Sequence, residues 1–242
     1  MGFFITFEGV EGCGKTTQIR QLYDRLTKSG YRVMLTREPG GCLIADKIRS
    51  ILLDAENKGM QSLTELLLYA AARAQHVAEV IMPALASGAV VLCDRFSDAT
   101  IAYQHNGRGI ERTTIDDLNT LACQSLRPDL TVLIDCDAAL GLARAKSRIE
   151  AASGPREERF ELEQLSFHQR VRDGYLQLAA AEPDRFLTVS AGGTIAEISG
   201  VIATQVLNRL TLKQATCLTG MFSAKTPEIV SDTQKDTARA VR

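Results

Sequence analysis

A glycine-rich stretch at residues 9–16 constrains the fold of this 242-residue chain more than any other part of its sequence. It reads Gly-Val-Glu-Gly-Cys-Gly-Lys-Thr and fits the pattern G-x-x-x-x-G-K-S/T. An apolar run precedes it and apolar residues at helical spacing follow it, which predicts a strand before the loop and a helix after it. In such a loop, backbone N–H groups and the helix N-terminus surround a phosphate, so the stretch predicts a nucleoside triphosphate site. The residues that would form this site are Gly9, Val10, Glu11, Gly12, Cys13, Gly14, Lys15, Thr16 and Thr17.

Four side chains near this loop indicate what the site does. Lys15 can reach the β- and γ-phosphate oxygens, and the Thr16 hydroxyl can bind Mg²⁺. Asp94 ends a neighbouring apolar run, where it could join the Mg²⁺ site, and Arg95 beside it could hold a second phosphate. Two phosphates at one metal are typical of a kinase whose acceptor is itself phosphorylated. The alternative for Asp94 and Arg95 is a surface ion pair.

Five short apolar runs alternate with helical segments along the chain, at residues 3–8, 32–37, 89–95, 130–136 and 185–190. Each run is continuous, as in strands that are covered on both faces. The alternation predicts an α/β fold with a parallel sheet and right-handed crossovers. We expect one domain over residues 1–210. Residues 211–242 are rich in Thr, Ser, Lys and Asp, and we expect them to form a disordered C-terminal tail.

Composition excludes several classes of function. The chain has 28 basic and 29 acidic residues, so it has no overall positive charge that would indicate binding to nucleic acid. It also contains no Trp that could stack on bases. The longest apolar stretches are far shorter than a membrane span needs. The six cysteines are scattered, which indicates reduced thiols in a cytoplasm. No basic segment typical of a signal peptide precedes the first apolar run. We therefore expect a cytoplasmic protein that binds neither nucleic acid nor membrane.

Further motifs follow the apolar runs in a fixed order. They are Thr-Arg-Glu-Pro-Gly-Gly at 36–41, Asp-Arg-Phe at 94–96, Ala-Tyr-Gln at 102–104, Gly-Arg-Gly at 107–109 and Arg-Pro-Asp-Leu at 127–130. Together with the phosphate loop they resemble the thymidylate kinase family, in its bacterial form, over about residues 3–210. The resemblance implies the P-loop nucleoside monophosphate kinase fold, with strand order 2-3-1-4-5 and a mobile lid at about 146–162. It also implies a homodimer that transfers the γ-phosphoryl group of Mg-ATP to dTMP, giving dTDP.

The resemblance assigns the contacts to the sugar and phosphate of dTMP. Glu11 would accept a hydrogen bond from the 3′-hydroxyl group. Arg49 and Arg95 would hold the 5′-phosphate, where a guanidinium fits two oxygens. The ring of Tyr103 would lie against the deoxyribose and leave no room for a 2′-hydroxyl.

Contacts to the base follow from the same resemblance. Tyr69 would stack on thymine and Arg73 would bind its O4 atom; the two lie four residues apart and share one helix face. Thr100 would contact the thymine edge. The motif at 36–41 adds Arg37 and Glu38 to the dTMP site. Two positions depart from the family, since Tyr69 stands where phenylalanine is frequent and Ala99 where serine is.

The catalytic residues implied are Lys15, Arg95 and an arginine of the lid. Positions 10–13 of the phosphate loop carry no basic residue, so the lid would supply the charge that stabilises the transferring phosphoryl group. Its basic residues Arg148, Arg156 and Arg159 flank Ser-Gly-Pro at 153–155. By its spacing before Phe-Glu at 160–161, Arg159 best matches the family's lid arginine, and Arg148 is the second choice. An ion pair of Arg159 with the neighbouring glutamates is the alternative.

Two other functions remain open at this point. A deoxynucleoside kinase of the same fold would need a carboxylate base, for which Glu38 is a candidate, although Arg49 and Arg95 argue against it. A P-loop ATPase without a small acceptor would leave the thymine-site residues without a purpose. The three histidines, His76, His105 and His168, are not spaced for metal binding, and we expect each to be packed or solvated.

Overall fold

A computed structural model describes residues 2–151 and 158–223 of the chain. The chain divides into two compact units, Met1–Gln205 and Val206–Arg242. The strands are β1 (Phe3–Glu8), β2 (Val33–Arg37), β3 (Val90–Asp94), β4 (Leu130–Asp135) and β5 (Phe186–Ser190). The α-helices are α1 (Lys15–Lys28), α2 (Leu43–Leu53), α3 (Ser62–His76), α4 (Met82–Ala86), α5 (Ser97–Thr100), α6 (Arg112–Cys123), α7 (Ala138–Glu150), α8 (Leu165–Ala181) and α9 (Ile195–Ser223). Two π-helical turns, Val77–Ile81 and Ile101–Gly107, join α3 to α4 and follow α5.

The five strands form one parallel sheet in the order β2-β3-β1-β4-β5, which confirms the predicted order. β1 lies at the centre, where Ile5 is opposite Leu92 of β3 and Leu130 of β4. All six residues of β1 are buried, as the continuous apolar run predicts for a strand covered on both faces. Below one face, the rings of Phe4 and Phe96 meet edge to face with centroids 4.9 Å apart.

The parallel arrangement determines where functional side chains can meet. The carboxyl ends of β1, β2 and β3 lie at one edge of the sheet, and each continues into a motif predicted to bind substrate. The π-helical turn Ile101–Gly107 returns buried Tyr103 and Gln104 to the same edge. Irregular helical turns of this type are frequent at functional sites.

The last helix extends further than the sequence indicated. α9 runs to Ser223 and so passes the boundary expected at residue 210. Residues 211–213 and 215 are adequate helix formers, and a helix that has already nucleated continues without an apolar stripe. Residues 224–242 lie outside the described part of the chain, and disorder there stays a prediction. Among the described residues, no helix is long and apolar enough to cross a membrane.

The phosphate loop packs closely against the backbone of α7. Gly12 has φ +66°, and a Cβ atom there would lie 2.1 Å from the carbonyl oxygen of Gly141. A Cβ atom on Gly141 would in turn lie 2.4 Å from the carbonyl oxygen of Glu11. The loop therefore keeps its shape only while both positions carry glycine.

This contact predicts opposite effects for two glycine-to-alanine changes inside helices. Gly141→Ala should lower the free energy of unfolding by about 1–3 kcal/mol, because the new methyl group forces the loop away from α7. Gly200→Ala in α9 should raise it by about 0.4–1 kcal/mol, since an added Cβ meets no described atom within 4 Å. Urea denaturation of the two variants measures both. Equal effects in the two variants would contradict the close backbone contact.

Candidate active site

The carboxyl ends of β1, β2 and β3 open into a cleft of about 1450 Å³. Its walls come from the phosphate loop, the 36–41 loop, α3, the segment after β3, and residues on both sides of 152–157. The predicted residues that line it are Glu11, Gly12, Gly14, Lys15, Thr16, Thr17, Arg37, Glu38, Arg49, Tyr69, Arg73, Asp94, Arg95, Thr100, Tyr103 and Arg148. The structure therefore brings together the residues assigned to two substrates in one cleft.

Lys15 and Thr16 begin α1 at the floor of this cleft. The ammonium group of Lys15 is buried and donates to the carbonyl oxygens of Gly9 and Val10, each 2.9 Å away. The Thr16 hydroxyl donates to Oδ2 of Asp94 at 3.2 Å. This pair places one hydroxyl and one carboxylate next to the phosphate loop.

The Thr16–Asp94 pair fits Mg²⁺ rather than a softer metal. Both groups are oxygen donors, and Mg²⁺ usually takes one or two protein oxygens together with phosphate oxygens and water. In the described part of the chain, no group of three or more His, Cys, Asp or Glu residues could hold a metal by itself. A divalent ion at this position would thus depend on a bound nucleotide for its remaining ligands.

Glu11 is the one carboxylate inside the phosphate loop, and three donors surround it. Arg95 donates to Oε1 at 3.1 Å, and the Tyr103 hydroxyl also donates to Oε1. Nδ1 of His168 lies 3.1 Å from Oε2. Burial opposes ionisation, but the His168 bond and the charges of Arg95 and Lys15 outweigh it and hold the Glu11 pKa below its usual range. Glu11 is therefore an ionised, oriented acceptor.

Arg95 occupies an unusual backbone conformation after β3. Its φ is +70°, a left-handed value that costs a residue with a side chain on the order of 1 kcal/mol. The guanidinium donates to the carbonyl oxygen of Gly9 at 3.0 Å and to the Tyr175 oxygen at 3.1 Å, besides Glu11. It also lies over the Tyr103 ring, 4.9 Å from the centroid. These contacts hold the left-handed turn in place.

A second buried network forms around Arg73 on α3. Its guanidinium donates to Glu38 at 2.8 Å, to Asn119 at 2.7 Å and to the Thr100 hydroxyl at 2.9 Å. The other Glu38 oxygen lies 3.0 Å from Nδ1 of His76. Glu38 is thus committed to two partners, which disfavours its alternative role as the base of a deoxynucleoside kinase.

The remaining predicted acceptor residues surround this network. Tyr69 lies one turn before Arg73 on α3, and its ring centroid is 6.4 Å from that of Phe160. Arg49 on α2 donates to the carbonyl oxygen of Pro39 at 3.0 Å. Arg37 is exposed and lies 3.4 Å from Asp46. Each of the three predicted residues reaches the cleft from a different element.

The structure does not bring Arg159 to the phosphate loop, where the sequence had placed the lid arginine. Its side chain is 7% exposed and forms a 2.6 Å ion pair with Glu65. It also donates to the carbonyl oxygen of Leu52 and stacks on Phe160, 4.6 Å from the ring centroid. An arginine with these partners anchors the segment after residue 157 instead of facing the cleft, which Arg148 lines. Arg156 and the Ser-Gly-Pro turn lie outside the described residues.

The sequence did not indicate several buried residues that support the cleft from behind its lining. His168 and Tyr175 of α8 were not assigned a contact, and both bind carboxylates, Glu11 and Glu8 respectively. Their seven-residue spacing puts them on one buried helix face, which is the signal that could have indicated them. Glu65 is buried and accepts from Gln104 and Arg108 as well as Arg159. No local sequence pattern indicates this role of Glu65.

Glu8, the last residue of β1, is a buried carboxyl group below the phosphate loop. Its oxygens accept from the backbone N–H of Phe96 at 2.8 Å and from the Tyr175 hydroxyl at 2.6 Å. Burial and the nearby charge of Asp98 raise the Glu8 pKa to about 8. Glu8 therefore holds a proton at neutral pH, whereas Glu11, three residues later, does not.

The sheet order, the phosphate loop and the Asp94–Arg95 pair together define the class of the protein as a P-loop kinase of the nucleoside monophosphate type. The family model described as thymidylate kinase matches residues 7–202. The chain therefore belongs to the thymidylate kinase family.

Individual relatives agree with this membership. A thymidylate kinase from Pelobacter propionicus is 69% identical over 211 residues, which cover 87% of this chain and 96% of that protein. One from Trichlorobacter lovleyi is 64% identical over 207 residues, with coverages of 86% and 98%. The crystal structure of thymidylate kinase from Ehrlichia chaffeensis superposes with a TM-score of 0.68 at 36% identity, covering 86% of this chain and 98% of that one.

The raised pKa of Glu8 predicts how stability depends on pH. The stabilising proton is fully present below the ordinary pKa of 4.5 and is lost as pH rises through about 8. In that window the unfolding free energy should fall by up to about 1.4 kcal/mol per pH unit relative to a Glu8→Gln variant, which keeps the neutral group. Urea denaturation of both proteins at pH 5 and pH 7.5 measures the difference.

A matched control is Glu182→Gln. Hydrogen bonding to Arg185 lowers the Glu182 pKa, so its stabilising charge is lost only as pH falls below about 4.5. The difference between that variant and the parent should therefore be the same at pH 5 and pH 7.5. A constant difference for Glu8→Gln as well would show that Glu8 is ionised in the folded protein.

Proposed function

We propose that this cleft transfers the γ-phosphoryl group of Mg-ATP to the 5′-phosphate of dTMP, a step of dTTP synthesis. Membership of the thymidylate kinase family makes the reaction the conversion of dTMP to dTDP, with ATP as co-substrate. The observation that carries the assignment of residues is the shared cleft. It is lined both by Lys15 and Thr16 of the phosphate loop and by Tyr69, Arg49 and Arg95.

On the donor side, we assign binding of the ATP phosphates to residues 9–17. The backbone N–H groups of the loop and the Lys15 ammonium bind the β- and γ-phosphates. Thr16 and Asp94 would hold the magnesium ion, which when bound would neutralise phosphate charge. The close packing of Gly12 on Gly141 keeps the loop in the conformation that directs its N–H groups inward.

On the acceptor side, Arg95 and Arg49 bind the 5′-phosphate, and Arg37 lies at the same end of the cleft. Arg95 suits this role because its guanidinium is already oriented by Gly9 and Tyr175. The ionised Glu11 carboxylate accepts the hydrogen bond of the 3′-hydroxyl. The Tyr103 ring covers the position of a 2′-hydroxyl.

Thymine is read by residues of α3 and by Thr100. The Tyr69 ring stacks on the base, and Arg73 donates to O4. Because the Thr100 oxygen already accepts a hydrogen bond from Arg73, its own hydrogen is available to an acceptor on the base. Glu38 contributes by holding Arg73 in place.

Phosphoryl transfer between two phosphates needs little acid–base chemistry. The rate acceleration comes from positioning the two substrates and from stabilising the charge on the transferring group. Lys15 and Arg95 supply part of that charge. We assign the lid contribution to Arg148, because Arg159 is held in its ion pair with Glu65. Closure of a mobile lid at about 146–162 belongs to this proposal.

We also propose that the chain acts as a homodimer in the cytoplasm. Five of the exposed apolar side chains lie on α2 and α3, two helices that pack together. They are Leu43, Ile44, Ile51, Leu63 and Leu67. The five described cysteines are unpaired and buried, which is compatible with a reducing compartment.

A coupled assay of ADP release tests the proposed reaction. With ATP and Mg²⁺, the chain should turn over dTMP rapidly, and AMP and thymidine much more slowly. The reason is that thymidine lacks the phosphate for Arg49 and Arg95, whereas AMP carries a 2′-hydroxyl against Tyr103. If thymidine is turned over and dTMP is not, the protein is a deoxynucleoside kinase. ATP hydrolysis independent of every acceptor would identify a P-loop ATPase.

Two lid variants test which arginine meets the transferring phosphoryl group. Arg148→Ala should lower kcat by at least about 100-fold with small changes in both KM values, the pattern of a contact made only in the transition state. Arg159→Ala should mainly lower thermal stability, because it leaves Glu65 with one charged partner fewer. Steady-state kinetics and a melting curve on each variant separate the effects. A large kcat loss in Arg159→Ala with unchanged stability would return the role to Arg159.

A further inference from the structure

The carboxylate of Glu11 receives hydrogen bonds from three different parts of the fold. Arg95 follows β3, Tyr103 belongs to the π-helical turn after α5, and His168 lies on α8. Two of these donors share Oε1, whereas Oε2 has His168 alone among the described residues. A carboxylate offers about four acceptor positions. With three occupied, one position is left, and it is on Oε2 next to His168.

His168 makes a single polar contact within the described residues. Its side chain is 1% exposed, Nδ1 lies 3.1 Å from Oε2 of Glu11, and Nε2 has no hydrogen-bond partner in that part of the chain. Because an ionised carboxylate only accepts, Nδ1 is the donor. The imidazole is therefore buried with its one hydrogen bond directed at Glu11.

Helix α8 is built to hold this ring at the phosphate loop. His168, Val171, Tyr175 and Leu178 follow at three- and four-residue spacing and form its buried face. Tyr175, two turns after His168, binds Glu8 at the base of the same loop. One rigid face thus supports both carboxylates.

Orientation of the Glu11 carboxylate matters because its terminal torsion is soft. That torsion has a broad, two-fold preference, so contacts to Oε1 alone leave the second oxygen able to rotate about them. A bond to Oε2 from an independent element removes this freedom. It also determines which oxygen is presented to a ligand in the cleft.

We propose that His168 is a positioning residue for substrate specificity: by fixing Oε2 of Glu11, it directs the remaining acceptor position of that oxygen to the 3′-hydroxyl of the nucleotide acceptor. This rests on the proposed function, in which Glu11 accepts that hydrogen bond. A structural histidine that only filled space would affect all acceptors alike. A positioning histidine affects only acceptors that carry the hydroxyl group.

The test compares kcat/KM for dTMP with kcat/KM for its 3′-deoxy analogue in the full-length protein. The parent should favour dTMP by about 10- to 100-fold, the range for a hydrogen bond to a charged group. Glu11→Ala and His168→Phe should both reduce this ratio toward one, and in His168→Phe the value for the analogue should stay within about threefold of the parent. The KM for ATP should be unchanged in His168→Phe.

Conservative variants supply the rescue and guard against loss of folding. In His168→Asn the amide nitrogen is bonded to Cγ, as Nδ1 is, so the parent ratio should return. In His168→Gln the nitrogen lies one bond further out, and the ratio should stay low. His105→Asn is the matched control, because its Nδ1 bonds the carbonyl oxygen of Ile110 outside the cleft, and its ratio should equal that of the parent.

The outcomes separate the two claims. If Glu11→Ala keeps the parent's preference for dTMP over the 3′-deoxy analogue, Glu11 does not bind the 3′-hydroxyl. In that case His168 has no such role either. If the ratio of the two kcat/KM values falls to about one in Glu11→Ala but equals that of the parent in His168→Phe, the proposal for His168 alone is overturned. If His168→Phe does not fold, equal ratios in His168→Asn and His168→Gln would overturn it.

Discussion

The cleft depends on the guanidinium of Arg95. It reaches Gly9 at the start of the phosphate loop, Glu11 within the loop and Tyr175 on α8, all within 3.1 Å. One side chain therefore joins the ends of two central strands to a helix on the other side of the loop. These bonds stabilise a left-handed backbone at residue 95 that would otherwise be unfavourable. They also orient, ahead of binding, the group assigned to the acceptor phosphate, which reduces the entropy that binding must overcome.

Much of this arrangement could be predicted because parallel sheets obey simple rules. A strand buried on both faces has a continuous apolar sequence, as in β1, β3 and β4. The edge strands β2 and β5 are partly exposed, contrary to the expectation for every run, because each has a neighbouring strand on one side only. All five runs still matched β1–β5 within a residue or two. The strands share a direction, and their carboxyl ends therefore meet at one edge. Asp94, which ends β3, and Arg95, which directly follows it, were found for that reason. The strand order came from the resemblance to a known family and not from the runs themselves.

The partners of individual side chains could not be predicted in the same way. Arg159 pairs with Glu65, 94 residues earlier in the chain, and nothing near either residue indicates the other. Spacing before the next aromatic residue selected Arg159 as the lid arginine, but the path of the chain turns its side chain inward and leaves Arg148 at the cleft. His168 was expected to be packed or solvated; it is packed, and its ring also makes a directed hydrogen bond to Glu11 that the sequence did not indicate. Tertiary contacts decide such cases, and they are not encoded in local periodicity.

Glu8 and Glu11 show how one loop can keep two neighbouring carboxyl groups in opposite states. Glu8 is fully buried beside the charge of Asp98, which favours its protonated form, whereas the His168 bond and the charges of Arg95 and Lys15 favour the ionised form of Glu11. An ionised Glu8 would share the charge of Arg95 with Glu11 and weaken its attraction for an acceptor phosphate. A protonated Glu8 still accepts from Phe96 and Tyr175, so it supports the turn after β3 without adding negative charge. Burial at the end of β1 thereby preserves the positive charge of Arg95 for the substrate.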